Sequence, residues 1–139
     1  MSMFELILRW AREQQLLVQQ GEDDIVFQVN GQSGSWISRV KAMEEDGMIF
    51  LLSAYPFRVP PEKRAEAALV LDEISSQLKL GTFYLDEEDG QINFRLGQFL
   101  WPYDEAETDQ RARNIIMLAM STTDSYYQRM LALAVEETE

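Results

Sequence analysis

The chain has 139 residues, the size of a single domain, and its 46% hydrophobic and 11% aromatic content is enough to fill a core. It carries 24 acidic residues against 12 Lys and Arg, a formal net charge of −12, and has neither Cys nor His. That composition excludes disulfides, thiolate and His-assisted nucleophiles and Cys- or His-ligated metals, and it argues against nucleic acid and anionic membranes as partners, because both call for a basic stripe.

Ser2-Met-Phe-Glu5 reads as a capping box. Phe4, Leu8, Ala11, Gln15 and Val18, widened by Ile7 and Trp10, predict a first helix from about Ser2 to Gln20, closed by Gly21. Asp24 to Asn30 alternates Ile25, Phe27 and Val29 with mostly polar neighbours, and Asn30-Gly31 signals a turn. Gly34 to Glu44 alternates again, with Trp36, Val40 and Ala42 on one face. Beyond the Asp46-Gly47 turn, Met48 to Tyr55 is apolar on both faces, the pattern of a central strand covered on both sides. These segments predict a three-stranded antiparallel meander.

Val59-Pro-Pro-Glu62 opens a second helix with the core-facing stripe Ala67, Leu71, Ile74 and Leu78, ended by Gly81. Phe83 and Leu85 on one side of Asp89-Gly90, and Ile92, Phe94 and Leu96 on the other, predict two more strands. Pro102 stops the last of them near Trp101. Asp104-Glu-Ala-Glu107 caps a final helical region with apolar positions Ala112, Ile115, Ile116, Ala119 and Met120. Ser121 to Ser125 interrupts it with weak helix formers, so one kinked helix or two short ones follow to about Ala134. The acidic tail, 136–139, is expected to fray. The fold class is α+β, a single domain over residues 1–139 with the order α-β-β-β-α-β-β-α, its antiparallel sheet packed against helices.

No run approaches the roughly 20 apolar residues of a membrane span. Glu5 and Arg9 sit inside the apolar N-terminal stretch, unlike a signal peptide. The expected location is cytoplasmic.

Four segments carry a family resemblance: Val59-Pro-Pro-Glu-Lys-Arg64 with the helix behind it, Gly81-Thr-Phe83, Asp89-Gly-Gln-Ile-Asn-Phe-Arg95, and Asp124-Ser-Tyr-Tyr127. In these the chain resembles the YbjN family, which is similar in fold to the class I type III secretion chaperones. Where family members often follow the tyrosine pair with proline, this chain has Gln128. The resemblance implies a non-enzymatic protein that binds other proteins. The secretion chaperones hold an extended client segment, commonly as homodimers, and the YbjN relatives are described as regulators.

The residues themselves offer little chemistry. Asp86-Glu-Glu-Asp-Gly90 fails as an EF-hand loop, because glycine falls at the fifth position and Gly97 at the twelfth. The acidic runs Glu22 to Asp24, Glu44 to Asp46, Asp86 to Asp89 and Asp104 to Asp109 sit at element junctions, as solvated turns and caps do. Two of them converging would bind Mg²⁺ or Ca²⁺ weakly. Gly31-Gln-Ser-Gly34 resembles the clamp loop of a KH domain but lacks a basic setting. No nucleotide fingerprint occurs. No catalytic, cofactor-binding or metal-binding residues and no cofactor are assigned.

The partner-binding candidates are the aromatics around two prolines, Tyr55 and Phe57 about Pro56, and Trp101 and Tyr103 about Pro102. The plainer role for all four is sealing the ends of the core. The expectation is a chaperone-like or regulatory protein–protein interaction module, not an enzyme, that binds a segment of a partner protein and forms a homodimer. The alternative is a regulatory domain sensing a small molecule or divalent cation.

Overall fold

In a computed structural model of the chain, which describes residues 1–100 and 103–135, the first helix (α1, Met3–Glu13) starts at the expected capping box. Glu5 N–H donates to Ser2 Oγ at 3.1 Å and Ser2 N–H to Glu5 Oε1 at 3.0 Å, which holds the Glu5 carboxyl below its usual range. Glu44, far along the chain, adds a second cap by accepting from the Met3 and Phe4 amides, both at 3.0 Å.

The helix ends seven residues before Gln20. Gln15 takes the left-handed region at φ 57, while Gln15 N–H donates to Arg12 O and Leu16 N–H to Ala11 O. These bonds form a Schellman motif with glutamine where glycine is usual. Leu16 then packs against the core, and the chain continues extended into an unforeseen short strand (β1, Gln19–Gln20).

The other strands are β2 (Asp24–Asn30), β3 (Ser35–Met43), β4 (Met48–Arg58), β5 (Thr82–Leu85) and β6 (Gln91–Phe99). They form one six-stranded antiparallel sheet in the order β1-β2-β3-β4-β6-β5. A 3-10 turn, Glu44–Asp46, and Gly47 at φ 63 connect β3 to β4. β4 runs past Pro56, where its register with β6 shifts between Ala54 and Arg58, as a proline without a ladder donor requires.

A 3-10 turn, Pro61–Lys63, leads into α2 (Arg64–Ser76), whose Ala67, Leu71 and Ile74 are buried as the stripe predicted. After Asp104 caps it through the Glu107 amide at 2.8 Å, α3 (Glu105–Ser125) runs straight through the Ser-Thr stretch. Thr123 is buried there, its hydroxyl donating to Ala119 O at 2.8 Å, so the weak helix formers do not break the helix. The break comes at Tyr126, and α4 (Tyr127–Ala134) follows. The expected stop at Pro102 and the tail 136–139 lie outside the described residues.

One core joins the sheet to all four helices: Ile25, Phe27, Trp36, Val40, Ile49, Leu51, Phe94 and Leu96 from the strands meet Ile7, Trp10, Leu71, Ile116 and Met130. Every one of these strand residues lies on the same face. The expectation that β4 is covered on both sides is corrected. Its odd-numbered positions 49 to 55 are buried, but Met48, Phe50, Leu52 and Ala54 on the other face stay half-exposed. Among the described residues no helix packs there, because α1 to α4 all pack on the inner face.

Candidate interaction surface

The four sequence candidates separate. Tyr55 is wholly buried, and its hydroxyl donates to Thr123 O at 2.7 Å. Burial, with Asp124 and Tyr127 nearby, pushes that phenol far above its ordinary range. Phe57 stacks on Tyr55 with centroids 5.3 Å apart and meets Tyr127 edge-on at 5.5 Å. Tyr55 and Phe57 thus take the plainer role of closing the core, because both share the inward phase of β4, Phe57 only partly buried, and meet Tyr127 of α4. Trp101 lies outside the described residues. Tyr103 is exposed, with the Arg111 guanidinium over its ring at 3.8 Å, a cation–π contact at the start of α3.

The segments that carry the family resemblance turn out to fasten loops. Asp124 accepts from the Gln32 amide at 3.1 Å and the Ser33 amide at 2.9 Å, which pins the β2–β3 hairpin tip to the end of α3. Tyr127 packs so closely on Gly34 that a Cβ there would fall 2.1 Å from its ring. Arg64 donates to Val59 O at 3.0 Å and to Glu88 O at 3.2 Å, and Val59 N–H donates to Gly90 O at 2.8 Å. The β5–β6 hairpin is thereby tied to the start of α2. None of these contacts assembles reactive groups.

The acidic runs are also occupied. Asp24 pairs with Arg39 at 3.3 Å, Asp86 accepts from the Glu88 amide, Asp89 from the Gln91 amide, and Asp104 and Glu44 cap helices. Arg113 joins Glu13 at 2.7 Å and Asp109 at 3.1 Å, bracing α1 against α3 and lowering the Glu13 carboxyl. Among the described residues no three Asp or Glu gather as a metal-binding group.

Larger openings beside Lys63 and Glu66 and beside Asp24 and Arg39 are mainly polar; one smaller opening is mainly apolar. A groove of about 210 Å³ lies between the end of β6 and α3, lined by Leu80, Phe99, Leu100, Ile115 and Leu118, with Arg111 and Asn114 at its polar side. It is smaller than the roughly 300–1,000 Å³ of small-molecule pockets and has room for one or two side chains. Phe99 is 62% exposed and pairs with Met48 in the β4–β6 register, which puts it on the phase of the uncovered sheet face. Sequence reasoning missed Phe99, whose signal was an aromatic on the polar-facing phase of β6.

Comparisons with known proteins agree with this fold. The model of the YbjN family, described as "Putative bacterial sensory transduction regulator", matches residues 4–132. Among solved structures, the chain is similar to YbjN from E. coli, called "a putative transcription regulator", at 10% identity and a TM-score of 0.58 over 88% of this chain and 92% of that one. It also matches an uncharacterized protein from Methanothermobacter thermautotrophicus at 15% identity and a TM-score of 0.48, over 88% and 99% of the two chains. No curated protein sequence matches. Among the described residues no helix is long and apolar enough to cross a membrane.

Proposed function

The chain belongs to the YbjN family, and from that premise we propose that it is a non-enzymatic, cytoplasmic regulatory module that works, as a chaperone does, by holding a segment of a partner protein. The observation that carries this reading is the open groove beside Phe99, Leu80 and Leu118, apolar and free of reactive groups. The regulator descriptions of the family and of the E. coli structure support it at the level of role. Apolar side chains left in water mark an interaction site when they are contiguous, as those lining this groove are.

Affinity capture of the tagged protein from its own cell lysate, with mass spectrometry, tests the reading. The expected result is one or two reproducible proteins, lost when Leu118→Glu places a charge in the groove. Recovery no better than background would remove the reading. The homodimer belongs to the same proposal: light scattering is expected to give twice the 16.1 kDa chain mass.

A further inference from the structure

On the outer face of the sheet, strands β3 to β6 carry cations and no carboxylate of their own, although acids at the margin reach three of those cations. Strands β3 to β6 contain no Asp or Glu, in a chain with 24 of them, yet hold Arg39, Lys41, Arg58 and Arg95. The register sets Arg39 beside Leu52, Leu52 beside Arg95, and Lys41 beside Phe50, so cations flank an apolar stripe. Gly97 completes the stripe by its lack of a side chain: a Cβ there would come 2.9 Å from Met48 Cε and 3.4 Å from Phe50 Cδ2. Asp24 and Asp23, at the start of β2, pair with Arg39 at 3.3 Å and Lys41 at 3.8 Å, and Asp89 pairs with Arg58 at 3.7 Å, all on the solvent side. Arg95 lies over the Tyr84 ring at 5.9 Å.

We propose that this face docks an acidic amphipathic segment of a partner protein, its apolar side chains on Phe50 and Leu52 and its carboxylates on Arg39, Lys41 and Arg95. The inference rests on the partner-binding reading above and adds the place and the chemistry of the partner. Charge complementarity selects the occupant. A second copy placed face to face would set these cations against one another, which is costly. A nucleic acid strand needs a denser row of cations than one broken by Leu52 and Ile37.

A random-peptide display library is selected in parallel on the wild-type protein and on the double variant Arg39→Ser, Arg95→Ser. Both side chains are exposed, so the variant is expected to melt with the wild type. The expected outcome is enrichment, on the wild type, of peptides combining Asp or Glu with aromatic or aliphatic residues. Fluorescence anisotropy of the best peptide should show about tenfold weaker binding to the variant and weaker binding at higher salt. Enrichment of basic or uncharged peptides, or none at all, overturns the inference. So does displacement of the peptide by a labelled oligothymidylate, or a dimer seen by light scattering that the peptide dissociates. Acidic peptides that bind the variant equally well remove this face while leaving the partner-binding reading intact; that reading fails separately, by an empty affinity capture.

Discussion

Neighbouring residues of the same strands live in two different settings. On β4, Ile49, Leu51 and Tyr55 are sealed under helices, while Phe50 and Leu52, one residue along the chain, face outward on a half-exposed surface. The inner set makes the fold and the outer set is free to do something else. Apolar residues on the inner face are accounted for by burial; those on the outer face are only partly so, and the partner segment proposed above would cover the rest.

The contrast can be broken most sharply on the inner face. Trp36 is buried, its Nε1 donating to Ser38 Oγ, which in turn meets Ser53 Oγ at 3.1 Å. Trp36→Ala is expected to cost about 3–5 kcal/mol in urea unfolding; a loss of less than 1 would mean that this face does not carry the core. Asp124→Ala removes the acceptor for two amides and is expected to cost about 2 kcal/mol, with faster hydrogen exchange at Gln32 and Ser33. Unchanged exchange would show that the hairpin tip stands without its clamp.

Tyr55→Phe leaves Thr123 O without its phenol donor and is expected to cost about 1 kcal/mol. Tyr55 also sets a pH dependence. Its folded pKa is raised, so its contribution is fully present below the ordinary phenol range, near 10, and falls as pH rises beyond it, where the unfolded chain ionises first. The variant should lose part of the alkaline slope, read from melting temperatures between pH 9 and 11. The smallest effect belongs to the outer face. Ile37, 46% exposed, should tolerate replacement by Thr within about 0.5 kcal/mol.

The same two faces explain what the sequence could and could not disclose. Alternation placed β2, β3, β5 and β6 and most of the core, because a half-buried strand writes its burial into every second residue. Met48 to Tyr55 is apolar throughout, and such a run reads alike whether its second face lies under a helix or awaits another protein. The end of α1 was illegible for a different reason: the stop is made by Gln15 in a conformation that glycine usually marks. The role of Asp124 was equally hidden, since its carboxylate acts on amides about ninety residues away and no local pattern reports such a contact. The groove lies where β6 ends against α3, two segments whose juxtaposition exists only after folding.

That long reach has a kinetic consequence. The β2–β3 hairpin can close early, from its own turn, but its tie to Asp124 spans 91 residues and closes only once the last long helix has docked, after a large loss of chain entropy. Removing the carboxylate should therefore leave the refolding arm of a chevron almost unmoved and raise the unfolding arm at unchanged slope, so that Asp124 would set how long the fold lasts rather than how fast it is found.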